Sequence, residues 1–536
     1  MQYVSQIVHF PLTDDSQSTE AFSPGFVEAR VAEESAEEQP VDLDWDKLQL
    51  NSIIPTDSNC RVIVLPTVDG ISFSPHGGTS GFNSWVEVNI GEAPEKTARL
   101  LTIAPNREQV GFTVRYNDVR CVVYFDPSED RLLLENEGLS PIFVTRRDDS
   151  SVTEVGYQGV TTLVPGVWAV SRDICLVELN VLESFAWRVS ASSHTKRAAE
   201  DDGMITKKTR LSNQVAAVRT RALQAVSPGN ALLRLQDGEI IHVGASDSGY
   251  KLKRLKIIAN QRNSSVWRGE HSEMPSKEIV IKIIKTSGVS PKDAIKAAQS
   301  WMHELTIHSS LEDHPAVLRL LGSDARFHSI YTEHVDARAL ISCSNPDGSF
   351  RGDATEQWRI LSDVVSALSF VHGNNIVHND VKLANILYSP TRGAVLIDFG
   401  LSFVDGHALR GGGTPWYLPP EYATNVTARG KTSDIWALGV VMLWVLRYMV
   451  PFPEREREWS IADLHAPKIS EARRREALGC MRNWTNRVRS LVPALTEGDD
   501  QLESIVKGTL ELDPDNRSDA DSLLQAIATS QKLQRA

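Results

Sequence analysis

The sequence predicts a multidomain chain in which an all-β, sandwich-like N-terminal domain precedes an α+β domain. Its 536 residues are too many for one hydrophobic core. Between about 46 and 190, short runs of β-branched and aromatic residues alternate with Gly, Pro, Asn and Asp turn signals, a pattern typical of a β-sandwich or barrel. From about 250 onward, a strand-like run is followed by long helical patterns, which indicates strands first and helices second.

Composition and charge narrow the class of protein. The chain is 41% hydrophobic and 23% charged, as in ordinary globular proteins. A net charge of −13 argues against attraction of the whole chain to nucleic acid or to an anionic membrane. No segment reaches the roughly 18 uninterrupted apolar residues of a membrane helix, and the N-terminus lacks the pattern of a secretory signal. We therefore expect an intracellular protein with no membrane and no nucleic-acid partner.

The five cysteines predict neither a metal site nor a disulfide framework. Their number is odd, they lie far apart and no CxxC pair occurs. We expect buried, reduced thiols.

The segments that flank the β domain are polar and charged. Residues 1–45 are acidic and rich in Ser and Glu, which predicts a disordered tail. Residues 191–249 predict a charged linker. Within it, Lys196-Arg197 and residues 207–210 form two basic clusters similar to a bipartite nuclear import signal, although a solvated linker face has the same composition. Cytoplasm and nucleus both remain open as the location.

The last part of the β domain resembles the second half of a forkhead-associated domain, a module that reads phosphothreonine. The resemblance lies in the runs YFDPSEDRLLLENEG, LVPGVWAVS and LVELNVLESFAWRVS. It implies a phosphopeptide partner. The recognition Arg and Ser-x-x-His of such modules have no close counterpart, the nearest stretch being Asn106-Arg107-Glu108. A plain interaction or structural module is the alternative.

One stretch of the α+β region carries a dense set of chemical residues. Residues 376–400 contain D-x-K-x-x-N followed by D-F-G, which places Asp380, Lys382, Asn385 and Asp398 in order. This stretch resembles the catalytic and metal-binding loops of a eukaryotic protein kinase. The resemblance covers residues 250–530 and implies the bilobal α+β fold of that family.

The resemblance implies a role for each of these four residues. Transfer of a γ-phosphoryl group requires its negative charge to be held and the attacking hydroxyl to be aligned and deprotonated. Asp380 occupies the catalytic-base position, and Lys382 would hold the transferred phosphate. Asn385 and Asp398 would bind Mg²⁺.

Two further residues are implied in nucleotide binding, one as a contact for the phosphates and the other as its partner. Lys282 ends the apolar run at 279–281, as does the phosphate-pairing lysine of the family. Glu304 follows 22 residues later on a predicted helix with apolar neighbours. We expect Glu304 to pair with Lys282 and fix its position.

The remaining ATP contacts are implied on the strands around the nucleotide. Ile258 and Val266 flank the loop that would cover it. Residues 329–335 resemble the hinge, whose backbone at Glu333 and Val335 would meet the adenine, with Thr332 at the inner edge.

The chain departs from the family pattern in the covering loop. If Val266 is the valine of G-x-G-x-x-G-x-V, the three glycine positions fall on Ala259, Gln261 and Ser264. Side chains there restrict the backbone approach to phosphates. Weaker nucleotide binding is expected, whereas the groups that react are all present.

A second departure is Asn379, where the family commonly has the arginine that pairs with a phosphorylated activation segment. The segment from Asp398 to Glu421 has only 24 residues. We therefore predict activity without phosphorylation of that segment.

Downstream residues are implied in binding and stability. Thr414, in the run GGTPWYLPPE, would line the substrate groove. Glu421 should form a buried ion pair with Arg517, and Asp434 should anchor the catalytic loop.

Taken together, these residues predict a serine/threonine protein kinase that uses ATP and Mg²⁺ on a protein substrate. The lysine in D-V-K-L-A-N and the run GTPWY favour Ser/Thr over Tyr acceptors. A small-molecule kinase would normally lack GTPWYLPPE. A pseudokinase scaffold, suggested by the covering loop without glycine, is the alternative from another class. A third reading makes the β domain a phosphopeptide reader that the kinase domain regulates.

Overall fold

The structure is a computed structural model in which part of the chain can be described. The described residues are 50–53, 55, 60–77, 85–89, 97–129, 131–149, 151–182, 190–192, 220–222, 230–244, 249–274, 278–406, 412–425, 429–449, 459–465, 469–496 and 501–535. The acidic segment 1–45 and the two basic clusters at 196–210 lie outside them.

The N-terminal region consists of two antiparallel sheets. Its strands are β1 (Val62–Pro66), β2 (Ser72–His76), β3 (Trp85–Asn89), β4 (Thr97–Ile103), β5 (Gly111–Tyr116), β6 (Val119–Asp126), β7 (Arg131–Asn136), β8 (Ile142–Arg146), β9 (Val152–Val155), β10 (Val160–Leu163), β11 (Gly166–Ser171) and β12 (Cys175–Val181). One sheet has seven strands in the order β3-β4-β1-β12-β11-β8-β9, and the other has five in the order β10-β7-β6-β5-β2. Many short antiparallel strands are what the sequence pattern predicts for this region.

The two sheets share one hydrophobic core. Alternate residues of several strands point into it, for example Val62 and Val64 from the seven-stranded sheet and Cys121 and Val123 from the five-stranded sheet. This alternation is the period of two expected for a strand with one buried face. Strand β6 breaks the usual pattern because Val122, on the opposite face, is also fully buried.

A third sheet follows, with eight strands. Its elements are β13 (Ser190–Ser192), β14 (Thr220–Ala222), α1 (Ala231–Arg234), β15 (Ile240–Val243), β16 (Tyr250–Asn260), β17 (Ser264–His271), β18 (Glu278–Ile284), β19 (Leu320–Asp324) and β20 (Ser329–Glu333). The strand order is β14-β13-β15-β16-β17-β18-β20-β19. The predicted linker, 191–249, thus contains strands of this sheet. Strand β15 pairs with β16 and buries Ile241 and Val243, so its short apolar alternation is sufficient for strand formation.

Helices dominate the rest of the chain. They are α2 (Pro291–Ser309), α3 (Ala354–Gly373), α4 (Lys431–Val445), α5 (Ala462–His465), α6 (Glu471–Leu491), α7 (Gln501–Thr509) and α8 (Ala520–Arg535), with short strands β21 (Arg338–Ala339), β22 (Ile376–Val377), β23 (Ile386–Ser389), β24 (Gly393–Leu396) and β25 (Phe403–Val404). Helix α2 begins at a capping box formed by Ser290 and Asp293, and α3 begins at one formed by Asp353 and Glu356. Helix α4 is buried on nearly every side and forms the centre of the helical core.

Helix α2 lies between two sheets. Its apolar residues pack with residues of the eight-stranded sheet, such as Ile284 and Ile330. They also pack with Val122 and Leu133 of the five-stranded sheet. The second contact explains why the outer side of β6 is buried.

All five cysteines are free; Cys60 and Cys121 are buried as predicted, whereas Cys175, Cys343 and Cys480 are only partly buried. Burial raises the pKa of the Cys121 thiol to about 12, so this side chain stays protonated at neutral pH. Among the described residues, no helix combines the length and the apolar character needed to cross a membrane.

Candidate active site

An ion cluster joins three elements in the centre of the C-terminal region. Lys282 lies in β18 between the buried Ile281 and Ile283. Its Nζ is 2.7 Å from Oε1 of Glu304, on α2, and 2.7 Å from Oδ1 of Asp398. The structure therefore brings together the residues that the sequence predicts as the phosphate-binding lysine, its partner and a metal ligand.

The charges in this cluster stabilise one another. Burial opposes the charge on Lys282, but the carboxylates of Glu304 and Asp398 outweigh it and raise the lysine pKa above its usual value. Burial by itself would raise the pKa of Asp398, yet Lys282 lowers it to about 2. Burial raises the pKa of Glu304. Lys282 and Asp398 are consequently both ionised at neutral pH.

The loop between β22 and β23 holds the predicted catalytic residues. Lys382 Nζ lies 2.6 Å from Oδ2 of Asp380, and Thr414 donates a hydrogen bond of 2.8 Å to Oδ1 of the same carboxylate. Asn385 Nδ2 donates to the backbone oxygen of Asp380 at 2.9 Å and to its Oδ2 at 3.0 Å. The carboxylate of Asp380 is thus fixed in orientation by three neighbours.

Asp434 anchors this loop from the first turn of α4, as predicted. Its two carboxylate oxygens accept hydrogen bonds from the backbone N–H groups of His378, at 2.8 Å, and Asn379, at 2.7 Å. His372 lies 2.9 Å from the same carboxylate. A buried carboxylate requires partners of this kind, so Asp434 and the loop hold each other in place.

Phe399, next to Asp398, is fully buried under α2. Its ring lies 4.9 Å from the ring of His308, on α2, and 5.1 Å from that of His378 in the catalytic loop. This packing fixes the backbone from which the Asp398 side chain projects. Asp398 itself has φ +70, in the left-handed region, a conformation that Asp tolerates better than most residues.

The predicted ion pair of Glu421 and Arg517 is confirmed. The guanidinium donates two hydrogen bonds to the carboxylate, at 2.8 and 3.0 Å. The charged part of Arg517 also donates to the backbone oxygen of Thr432. Because Arg517 is buried, removal of either partner would leave an uncompensated charge, which costs about 3–5 kcal/mol of folding free energy.

The hairpin of β16 and β17 occupies the place of the predicted covering loop. Val266 pairs directly with Lys282 across β17 and β18, so their side chains share one face of the sheet. Ile258 lies at a bulge and is 56% exposed. Residues 259–264 all keep negative φ, so the non-glycine residues there are free of backbone strain.

The tip of this hairpin is attached to the end of β18. Lys285 donates its backbone N–H to the oxygen of Asn263 at 2.8 Å, and its Nζ to Oδ1 of Asn260 at 3.0 Å. Side-chain and backbone contacts therefore fix the tip in this conformation.

The predicted hinge, residues 329–335, begins with strand β20 and continues past its C-terminal end. Thr332 is buried at this strand end, and Val335 is also buried. The carboxylate of Glu333 accepts from the backbone N–H of Arg319 at 3.2 Å, so its side chain is engaged away from the strand interior. The backbone N–H of Glu333 is also engaged, because it donates to the oxygen of Arg319 at 3.0 Å.

Arg429 is a candidate functional residue that the sequence did not indicate. It donates to the backbone oxygen of Asn379 at 2.9 Å and to that of Gly412, and its guanidinium lies 5.4 Å from the ring centre of Tyr422. Asn379, in turn, donates from Nδ2 to the oxygen of Leu401 at 2.8 Å. Catalytic loop and activation segment are thus joined at two points. A single Arg in a polar stretch gives no pattern that would have revealed this.

The residues present fit a Mg²⁺ ion that arrives with a nucleotide. Asp398 supplies an ionised carboxylate that is 43% exposed. The amide nitrogen of Asn385 is used within the loop, so its oxygen is the atom left for a cation. Carboxylate and amide oxygens are ligands that Mg²⁺ accepts, and nucleotide phosphates and water complete its shell in such sites.

Comparison with known sequences agrees with this geometry. The sequence model of the family described as "Protein kinase domain" matches residues 254–527, just over half of the chain. The chain belongs to the protein kinase domain family.

Individual relatives are similar over parts of their length. Serine/threonine-protein kinase GRIK1 of Arabidopsis thaliana is 32% identical over 159 residues, which cover 28% of this chain and 39% of the relative. Serine/threonine-protein kinase PrkC of Bacillus subtilis is 30% identical over 230 residues, or 42% of this chain and 34% of the relative. The putative serine/threonine-protein kinase R436 of Acanthamoeba polyphaga mimivirus is 28% identical over 52% of this chain and 94% of the relative. The chain therefore spans little more than a third of the first two relatives.

Proposed function

We propose that this protein is a serine/threonine protein kinase that transfers the γ-phosphate of ATP to Ser or Thr hydroxyls of a protein substrate. The observation that carries the proposal is the arrangement around Asp380. Its carboxylate is held by Lys382, Thr414 and Asn385 beside a separate ion cluster of Lys282, Glu304 and Asp398. The strand-rich and helix-rich parts are the two lobes of the kinase fold in this proposal.

In this proposal each side chain acts on one part of the transfer. Asp380 orients the acceptor hydroxyl and accepts its proton, because its carboxylate is the fixed acceptor group of the loop. Lys382 places its ammonium beside the phosphoryl group as negative charge spreads over the oxygens. Thr414 closes the site beside Asp380 and Lys382, where the acceptor side chain would lie.

Lys282, Asn385 and Asp398 bind the nucleotide side of the reaction. Lys282 is kept charged by two carboxylates and contacts the α- and β-phosphates in this proposal. Asn385 and Asp398 hold Mg²⁺, which when bound neutralises charge on the phosphates. Ile258, Val266 and the backbone at Glu333 and Val335 enclose the base.

Transfer of labelled γ-phosphate from Mg-ATP tests the proposal. The full chain should phosphorylate a generic Ser/Thr protein substrate and leave Tyr-only peptides and small-molecule alcohols unlabelled. Asp380→Ala should abolish the labelling while leaving the thermal shift by Mg-ATP in place. Labelling that is equal in both proteins would overturn the proposal.

A pseudokinase scaffold is the second candidate, and the hairpin without glycine is the observation that favours it. A scaffold would be indifferent to Asp380→Ala in every assay of partner binding and would label no substrate. The same transfer experiment thus separates the two candidates.

Phosphopeptide binding by the N-terminal β domain stays a prediction. Arg107, in the stretch nearest to a recognition motif, is paired with Glu273 through two hydrogen bonds of 2.7 Å. Binding of phosphothreonine peptides by the full chain, compared with their unphosphorylated forms, checks it.

A further inference from the structure

The outer face of the five-stranded sheet carries an apolar patch beside polar residues such as Glu135. We call its residues Val122, Tyr124, Leu133 and Val160 the docking face. The neighbours of these residues along each strand point into the sandwich core instead. An antiparallel sheet that covers a core on one side commonly exposes polar residues on the other. The docking face therefore requires a partner, and helix α2 covers it.

The helix is suited to close contact with this face. Ala294 and Ala298 are buried small residues that bring the helix backbone near the sheet. Met302 packs beside Gly77, whose φ of +88 favours glycine and where a Cβ would lie 3.0 Å from the oxygen of Glu108 and 3.3 Å from Sδ of Met302.

Polar contacts at the edge connect the β domain to the strands around α2. Arg107 pairs with Glu273 at 2.7 Å and lies 4.5 Å above the ring centre of Tyr250. Its backbone oxygen accepts from the N–H of Ala325 at 2.8 Å. Ser128 and Thr286 are joined by a hydrogen bond of 2.9 Å between their hydroxyls. Contacts of this variety fix the β domain against α2 in one orientation.

The opposite side of α2 faces the candidate active site. Glu304 forms the 2.7 Å ion pair with Lys282, and His303 lies 2.7 Å from the backbone oxygen of Ser402, four residues beyond Asp398. His308 packs on the ring of Phe399. One helix thus contacts the docking face on one side and, on the other, strand β18 and the segment that follows Asp398.

We infer that the β domain is a built-in partner of α2 that holds Glu304 against Lys282, so that phosphoryl transfer depends on the docking face. The inference rests on the proposed kinase function. In protein kinases the Lys–Glu pair must be formed for transfer, and the position of this helix controls it. A helix whose outer side is apolar and uncovered would shift or loosen, and Glu304 would move with it.

A matched pair of substitutions in the full chain tests the inference. Leu133→Arg puts a charge into the docking face, whereas Leu139→Arg puts the same side chain at a position that is 85% exposed. Hydrogen exchange of the α2 backbone and transfer of labelled phosphate are measured for both. Leu133→Arg should speed exchange within 291–309 and lower transfer by at least about tenfold, within the usual range of coupling between sites. Leu139→Arg should leave both at the wild-type level.

A second variant covers the case in which Leu133→Arg unfolds the sandwich. Val160 lies at the end of the edge strand β10 and is only partly buried, so Val160→Glu should keep the inner core of the sandwich intact. Protection of the β6 and β7 amides reports whether it does. Faster exchange in α2 with unchanged protection in β6 and β7 supports the inference.

The outcomes separate this inference from the proposed function. Wild-type exchange in α2 together with wild-type transfer in the docking-face variants would overturn the inference and leave the kinase function standing. A wild-type chain that labels no substrate would overturn the kinase function and, with it, the dependence of transfer on the docking face. The exchange data would then still decide whether the sheet holds the helix.

Discussion

The catalytic loop and the covering hairpin differ in how closely they follow the family pattern. In the loop, Asp380 and Asn385 keep the expected residue types and are joined by several hydrogen bonds. In the hairpin, Gln261 and Ser264 replace glycines, and the tip is attached to Lys285. The proposed reacting residues therefore keep the residue types of the family pattern, whereas the hairpin proposed to cover the nucleotide departs from it.

This difference separates chemistry from nucleotide binding. Groups that act only in the transition state determine kcat, whereas contacts made equally in the ground state change KM. Substitutions in the loop should therefore lower kcat, and substitutions in the hairpin should change KM for ATP. Variants of Asp380, Lys282 and Arg429 test the first expectation, and a variant of the hairpin tests the second.

Loss of the Asp380 carboxylate should have the largest effect. Asp380→Asn keeps the size of the side chain but removes the proton acceptor, so kcat should fall by about 10²–10⁴-fold. KM for ATP should change little because Asp380 faces the acceptor side. Initial rates at varied ATP measure both constants. Asp313→Asn, at an exposed position, is the control, and a kcat equal to wild type in Asp380→Asn would contradict the assignment.

Loss of the Lys282 ammonium should have the second-largest effect on kcat. Lys282→Met removes the cation that balances Glu304 and Asp398, and kcat should fall by about 100-fold because a charge that stabilises the phosphates is gone. The pKa of Asp398, now about 2, should rise, since Lys282 is what lowers it. Rates measured from pH 5 to pH 8 report this: at low pH the variant should lose further activity as Asp398 gains a proton. A pH profile with the wild-type shape would contradict it, and Lys251→Met, on the exposed side of β16, is the control.

Arg429 should have a moderate effect on the loop side. Arg429→Ala removes the bridge between Asn379 and Gly412, so kcat should fall by about tenfold through misplacement of the activation segment. Arg429→Lys should restore little of the lost kcat. A lysine ammonium lacks the planar guanidinium whose N–H groups reach two carbonyl oxygens at once. Rates that match wild type in both variants would contradict a role for Arg429 in positioning the activation segment.

The same contacts bear on phosphorylation. Asn379 and Arg429 hold the activation segment without a phosphate group, so phosphatase treatment should leave the transfer rate unchanged. Mass spectrometry of the treated chain verifies that phosphate is absent. A treated sample that has lost all activity would contradict the prediction of activity without phosphorylation.

The hairpin should show the smallest effect. Gln261→Gly combined with Ser264→Gly permits closer backbone approach to phosphates, so KM for ATP should fall by about two- to fivefold. Glycine also loosens the tip, which limits the gain, and kcat should stay within about twofold of wild type. A tenfold rise in kcat would show that the hairpin limits the chemical step after all.

Much of the site could be predicted because its residues are close in sequence or stand at fixed spacings. Asp380, Lys382 and Asn385 occupy one short loop, and the apolar run before Lys282 is visible in the sequence. The helices α3 and α4 lie in the region after 250 for which the sequence predicts long helices.

The rest depends on contacts between distant segments. Nothing in the local pattern of β6 tells whether the outer Val122 faces water or a helix, because burial of both faces looks like any apolar run. The strand at 240–243 is short and lies in a polar stretch, so pairing with β16 decides its state. Arg429 acquires its role only when the fold brings Gly412 and Asn379 together.

A single-turnover experiment at saturating Mg-ATP tests the central claim most directly. With nucleotide in excess, a low affinity of the hairpin for ATP no longer limits the rate, and the observed step is phosphoryl transfer itself. We predict transfer by the wild-type chain and its loss in Asp380→Asn, with nucleotide bound in both. A wild-type chain that is saturated with Mg-ATP and transfers no phosphate would contradict the claim that its reacting groups are complete.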